Sequence, residues 1–400
     1  MKKVAFFYAT FPRFTETFVR RELRAFDKIG FHPELYSIWR GQREWEGKKI
    51  NRFQLFHLFS LFFWIPYWSW KHPRAFKDIL TELWDKPCPN LQNWNETFLA
   101  LGYALVEAKK IKSEQYDLLH GVWATMPATA VFALSKLTNT PFSMGAHAYD
   151  VFRMGGDWLL RMKFQDALFI RTSSKSTAVR IEEIGVVPEK IKLIRRGIAE
   201  WPIRESYELV SKKCLELVSV GRLVEKKGYY HQLQIAAHLR NRDIPFRLRI
   251  VGTGPLEKSL LKERNRLGLD GFVEFTGSKT EQEVRAIYLQ SDAFLFTGVI
   301  AKNGDRDGIP NVIPEAMSAG CLILASVYAG ASEAFVEDVS GFSLNPKDPE
   351  KWSSILEEFW ESPQSFELTR KRAMKHAREA FDIRKTVNSL YGVVNEKLTK

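Results

Sequence analysis

Short apolar runs alternate along this chain with longer stretches of helical periodicity. In the second half, Leu215-Glu-Leu-Val-Ser-Val-Gly221, Phe246-Arg-Leu-Arg-Ile-Val-Gly252, Phe272-Val-Glu-Phe-Thr-Gly277, Ala293-Phe-Leu-Phe296 and Cys321-Leu-Ile-Leu-Ala325 read as strands. Each is followed by glycine or a turn and then by a helical pattern. The first half repeats the theme with Val4-Ala-Phe-Phe-Tyr8, Leu118-Leu-His120, Pro141-Phe-Ser-Met144, Ala167-Leu-Phe-Ile170 and Ile191-Lys-Leu-Ile194. Strand then helix, repeated, predicts a parallel sheet covered on both faces. Two such halves in succession predict an α/β protein of two Rossmann-like domains, 1–200 and 201–380, with parallel sheets facing a central cleft. The boundary is expected in the polar, proline-containing stretch from Arg195 to Lys213, and the sequence separately predicts a charged helix from Glu367 to Glu379 before a final segment to Lys400.

The stretch from Phe53 to Trp70 departs from that pattern, with no charged residue over 18 positions and nine aromatic ones. Gln54, His57, Ser60 and Pro66 interrupt it, so it does not read as a membrane span. Two readings stay open. The aromatic enrichment with Lys71 and Arg74 just outside suits a helix lying in a membrane interface; the alternative is a helical pair packed on the core of the first domain.

Composition narrows the class. A length of 400 residues suits two domains of roughly 200 each, and 45% hydrophobic with 26% charged residues is ordinary for a globular protein. Cys88, Cys214 and Cys321 are far apart, which indicates neither a disulfide framework nor a zinc site and fits a reducing cytoplasm. Met-Lys-Lys-Val-Ala-Phe-Phe-Tyr at the start reads as a first strand rather than a signal peptide. Residues 1–200 hold 30 Lys/Arg against 20 Asp/Glu, whereas residues 201–400 hold 29 against 27. The excess in the first half points to an anionic partner there, whether nucleic acid, acidic glycan or anionic membrane surface, or to scattered surface lysine.

The most informative segment is Asp307-Gly-Ile-Pro-Asn-Val-Ile-Pro-Glu315-Ala-Met317, two carboxylates separated by a stiff turn, the second opening a helix. Carboxylates accept paired hydrogen bonds from sugar and ribose hydroxyls, and a helix N-terminus favours an anion beside it. Upstream, Val220-Gly221-Arg222-Leu223-Val224-Glu225-Lys226-Lys227-Gly228 offers a glycine for close approach and two cations that can bracket a diphosphate. Ile250-Val-Gly252-Thr-Gly254-Pro-Leu256-Glu257 sits where a dinucleotide fingerprint belongs but lacks the third glycine, which argues against a nicotinamide cofactor. The first half adds Ser143-Met-Gly-Ala-His147-Ala-Tyr-Asp150 and Phe11-Pro-Arg-Phe-Thr15-Glu16-Thr17-Phe18. His120, at the end of a strand, is a further candidate for the acceptor side or a core residue.

Together these segments resemble the retaining family 4 glycosyltransferases of GT-B fold, in particular bacterial exopolysaccharide and colanic-acid types. The resemblance covers about 210–345 most strongly, then 1–25 and 115–200. It implies a hexosyltransferase acting by a same-face mechanism, with retention at the anomeric carbon. Arg222 and Lys227 are assigned to the diphosphate, Glu315 to the ribose, and Asp307 with the Gly308, Ile309, Pro310 and Asn311 backbone to the donor sugar. Gly221 and Gly252 shape the nucleotide floor. His147 faces the sugar or the leaving group, while Thr15, Glu16 and Asp150 lie on the acceptor side. A last segment, 381–400, is expected to cross back to the first, acceptor-binding domain.

The resemblance implies a nucleoside diphosphate sugar as donor, UDP-sugar before GDP-sugar, and a glycan or lipid-linked acceptor in cell-surface polysaccharide synthesis. It implies no nucleic acid and no cofactor. It also places the protein in the cytoplasm, peripheral on the inner face of the plasma membrane. Asp305-Arg-Asp307 matches the Asp-x-Asp pattern by which another glycosyltransferase fold holds a metal, but its continuation belongs to the two-acid motif, so no catalytic metal is expected. Two departures stand out: the family has Glu where this chain has Asp307, and the Gly-Gly loop of other members is absent. Asp307 leaves a binding module without turnover as the alternative reading.

Overall fold

The computed structural model describes residues 2–13, 16–328 and 330–399. Among these residues β1 Val4–Phe11, β2 Glu34–Gly41, β3 Glu44–Trp45, β4 Lys48–Arg52, β5 Leu118–Gly121, β6 Phe142–Gly145, β7 Ile170–Thr172 and β8 Ile191–Leu193 build one sheet. Its order is β3-β4-β2-β1-β5-β6-β7-β8, parallel except for the short β3–β4 pair. β9 Leu215–Val220, β10 Phe246–Val251, β11 Val273–Gly277, β12 Ala293–Phe296, β13 Leu322–Ser326 and β14 Phe342–Leu344 build a second, parallel sheet in the order β11-β10-β9-β12-β13-β14. The chain divides into two compact units, Met1–Arg195 with Arg384–Lys400 and Arg196–Ile383.

The apolar runs are continuous because each central strand feeds two cores. In β9, β12 and β13 the residues Leu215, Leu217, Ala293, Leu295, Leu322 and Leu324 enter one core, while Val218, Phe294, Phe296, Ile323 and Ala325 enter the other. Successive side chains point to opposite faces, so a strand covered on both sides is apolar at most positions, and a polar residue there, such as Ser219 of β9, is buried and bonded. β2 escaped the sequence reading because it carries Ser37 in mid-run. That serine is buried, and its Oγ accepts the Phe11 N–H at 3.0 Å, so the polar group is satisfied inside the sheet. β14, three residues long, is too short to give a pattern.

Residues 53–70 are partly core and partly exposed surface. They form a 3-10 turn, Leu55–Ser60, and most of helix α2, Leu61–Lys71, which precedes α3 Pro73–Asp85, α4 Leu91–Ser113 and α5 Met126–Thr138 (α1 is Thr17–Lys28). Phe53 packs edge-on against Tyr103 of α4 at 5.0 Å, and buried Trp68 donates its Nε1–H to the Leu105 carbonyl at 2.8 Å. Phe59, Phe62, Phe63 and Trp70 face solvent instead. No helix among the described residues is long and apolar enough to cross a membrane. The last helix, Ile383–Thr399, packs within the first unit, where Tyr391 meets Phe31 at 5.2 Å and Lys2 Nζ donates to Leu398 O at 3.1 Å.

Candidate functional site

In the second unit, the loops after β9 and β12 are stitched together. Val299 N–H donates to Lys226 O at 2.8 Å and Lys302 N–H to the Glu225 carboxylate at 3.1 Å, while Ala301 N–H, bonded to Asp305 O at 2.9 Å, closes the loop after β12 on itself. Gly228 permits that approach, and Gly252, just after β10, permits the approach of a third loop to the one after β9. Gly228 has φ +69°, and a Cβ there would stand 1.8 Å from Thr297 O. Gly252 has φ +137°, and its Cβ would stand 2.1 Å from Gly221 O. Any side chain at either position would force the loops apart. The Tyr229 hydroxyl holds Gly221 O at 2.9 Å and fixes the first turn.

Four charges meet where the loops join. Lys227 Nζ lies 2.8 Å from Asp307 Oδ2, and Lys226 Nζ lies 3.4 Å from Asp307 Oδ1 and 3.1 Å from Asp305 Oδ1. Burial pushes the Asp307 carboxyl up, but the Lys227 and Lys226 ammonium groups outweigh it and hold the group below the usual carboxylate range. Arg222 is exposed at the start of the same loop and makes no ion pair among the described residues. It therefore stands outside the charge cluster that Lys227 joins.

After Asp307 the chain passes through Gly308, Ile309, Pro310 and Asn311 into the helix Val312–Ser318. Gly330 crosses close by: its N–H donates to Asp307 O at 3.2 Å, and a Cβ on it would meet the Gly308 carbonyl carbon at 2.7 Å. Ile313, Ala316 and Met317 bury one side of the helix, leaving half-buried Glu315 in its first turn. The arrangement offers backbone donors, two ammonium groups and two separately held carboxylates, the groups a phosphorylated polyol needs.

The first unit holds a different site. Asp150 is buried and accepts N–H donors from three residues in two loops, His147 at 3.0 Å and Ala148 at 2.8 Å after β6, and Ala124 at 3.1 Å after β5. Burial dominates there and raises the Asp150 carboxyl despite those bonds. His147 is buried beside it; the Thr177 hydroxyl donates to its carbonyl at 2.7 Å, and its Nε2 would lie 2.8 Å from a Cβ on Gly145. Asp150 thus joins two loops and also borders a small polar cavity lined by Gln92, Asn93, Glu96, Thr125, Tyr149 and Arg153. Glu16 precedes α1, its Oε1 3.7 Å from Arg13, and Thr15 lies outside the described residues.

His120 is a core residue. Its Nδ1 lies 2.8 Å from Ser143 Oγ, its ring is 4.8 Å from Phe6, and burial, with the Arg171 charge, drives its pKa down to about 3. Lys226 is the member of the charge cluster that sequence reasoning missed. The Lys226-Lys227 doublet was visible, but the burial of the first lysine against two acids was not. The cavity residues on α4 carried no spacing signal either.

The family described as Glycosyl transferases group 1 matches residues 202–380, the segment that contains both stitched loops. The chain is a glycosyltransferase whose second unit carries a group 1 domain. This glycosyltransferase is 25% identical over 377 residues to WcaL of Salmonella typhimurium, assigned to colanic acid biosynthesis as a glycosyltransferase, covering 89% of this chain and 90% of that one. It is 29% identical over 178 residues to the amylovoran biosynthesis glycosyltransferase AmsK of Erwinia amylovora, covering 44% of this chain and 41% of AmsK. Among solved structures, sucrose-phosphate synthase from Thermosynechococcus elongatus superposes with a TM-score of 0.76 at 13% identity over 100% of both chains. HepE of Anabaena in complex with UDP gives 0.72 at 16% identity over 99% of this chain and 100% of that one. At those identities the likeness is one of fold, and the fold is GT-B.

Proposed function

We propose that this enzyme transfers a sugar, with retention, from a nucleoside diphosphate sugar to a glycan or lipid-linked acceptor during the synthesis of a cell-surface polysaccharide. One observation carries the reading: the Lys226/Lys227 and Asp305/Asp307 cluster, held between two glycine-tightened loops and followed by Glu315. UDP-sugar is the preferred donor, a choice supported by HepE, which was solved with UDP and with UDP-glucose. The polysaccharide context is supported by WcaL and AmsK.

Arg222 and Lys227 take the diphosphate. An ammonium has three donors, so Lys227 can keep Asp307 and still meet a phosphate oxygen. Glu315 takes the ribose hydroxyls, and Asp307 with the Gly308–Asn311 backbone takes the sugar. In the reaction the bond from the anomeric carbon to the diphosphate oxygen breaks as the acceptor oxygen bonds to the same face. The acceptor hydroxyl proton passes to the departing diphosphate, whose charge the two cations stabilise. Asp307, already shared between two lysines, is a hydrogen-bond acceptor in this scheme rather than a nucleophile. No metal takes part, because Asp305 and Asp307 are neutralised by lysine. His147, in the first unit, takes the sugar-side role that the family resemblance gives it, and the enzyme works in the cytoplasm at the membrane face.

A panel of nucleotide sugars, with mass detection of released nucleotide and product, tests the reading. Release from a UDP-sugar and an anomeric configuration kept in the product are the expected results. Tight nucleotide-sugar binding without release from any donor would replace it with a binding module.

A further inference from the structure

We infer that the first unit docks on an anionic lipid bilayer through the outer faces of α2 and α3. This deepens the reading of a membrane-proximal acceptor by naming the surface that meets the membrane. In α2 the spacing Phe62, Pro66, Trp70 with neighbouring Phe63 defines one face, while Trp64, Tyr67 and Trp68 turn toward the core. In α3 Phe76 and Ile79 pack inward, whereas Leu80 and Trp84 share the outer side with Lys77, and Arg74 lies on its flank. The outer residues are unusually bare: Phe59 is 87% exposed, Phe62 80%, Trp70 81% and Trp84 90%. Aromatic surface of that extent on successive elements marks an interaction site rather than chance exposure.

Charge selects the occupant. Lys71, Arg74 and Lys77 border the aromatic residues and make no ion pair with a carboxylate among the described residues. Lys71 lies 5.5 Å from the ring centres of Tyr67 and Trp68, so its charge sits on the flank of α2 between the core-facing rings and the exposed face. By helical spacing Asp78 and Asp85 lie on the Arg74 flank of α3, turned away from Leu80 and Trp84, and Glu82 is tied to Lys86. Exposed Phe and Trp bordered by Lys and Arg is the composition of a membrane interface; protein interfaces deplete lysine. At 11 and 13 residues the two helices are too short to span a bilayer, so they lie on it. Trp68, buried and bonded to α4, fixes the face to the folded core.

Vesicle flotation of the full chain decides the matter. Wild type is expected to float with phosphatidylcholine vesicles containing phosphatidylglycerol at low salt, and less at high salt. The variant Phe59→Ser/Phe62→Ser/Trp84→Ser should lose about tenfold or more of that binding with its melting temperature kept. Lys71→Glu/Arg74→Glu/Lys77→Glu should lose about a hundredfold on the anionic vesicles while keeping the aromatic face intact. A wild type that never floats but still transfers sugar to a water-soluble acceptor would overturn the docking and leave the glycosyl-transfer reading standing. A dimer that the aromatic variant dissociates, with no vesicle binding, would overturn it in favour of a second copy on this face.

Discussion

Asp307 and Asp150 both come shortly after a parallel strand, one in a loop and the other in the short helix Tyr149–Phe152, yet their environments push them in opposite directions. Asp307 is gripped by two lysine ammonium groups and stays below the usual carboxylate range. Asp150 is gripped by backbone N–H groups alone, and burial raises it. Mobile side-chain charges can be shared with a ligand; backbone N–H groups hold the chain itself. The first aspartate therefore suits the proposed donor site, and the second braces the two loops that carry His147 and Ala124.

The sharpest way to break that comparison is kinetic. Arg222→Ala and Lys227→Ala should each lower turnover by about 10²–10³ with the fold intact, the usual cost of one charge-stabilising donor. Near-normal rates in both would remove the diphosphate assignment. Asp150→Ala should instead lower stability, since it leaves buried N–H groups of His147, Ala148 and Ala124 without an acceptor, at about 1–3 kcal/mol for each unsatisfied group. Denaturant titration reads it, and an unchanged midpoint would show that Asp150 braces nothing.

A smaller effect sharpens the same contrast. The depressed folded pKa of Asp307 contributes stability that is present above the ordinary aspartate value of 3.8 and is lost as pH falls through the folded value. The raised folded pKa of Asp150 acts the other way: its contribution is largest below 3.8 and declines as pH rises from there through the folded value. The stability gap between wild type and Asp307→Asn should therefore narrow toward acid, and the gap to Asp150→Asn should narrow as pH rises. Parallel pH curves for the two variants would contradict the assigned environments. The smallest effect is none at all. Sugar transfer should survive EDTA, since Lys226 already lies between Asp305 and Asp307; loss of activity with rescue by manganese would return those acids to a metal.

Much of this architecture could be read before the structure. Strands apolar at every position, such as Ala293–Phe296, announced a sheet buried on both faces, because both sets of side chains enter cores. β2 was hidden by Ser37, whose partner, the Phe11 N–H, is 26 positions away in sequence. The two-acid segment and the Gly221–Gly228 loop were legible as local patterns. That they meet through Lys226 was not, since a contact across 79 positions leaves no mark on spacing. Residues 53–70 resisted reading for another reason: one aromatic stretch serves both the core and the surface, and composition does not say which face each ring takes.

The central claim is that the two stitched loops of the second unit hold a nucleoside diphosphate sugar. Calorimetric titration of UDP and a UDP-sugar into wild type, Glu315→Ala and Asp307→Ala tests it most directly. Glu315→Ala should weaken both ligands alike, because it removes the ribose contact, whereas Asp307→Ala should weaken the UDP-sugar more than UDP. Equal losses for both ligands in both variants, or unchanged affinities throughout, would contradict the account.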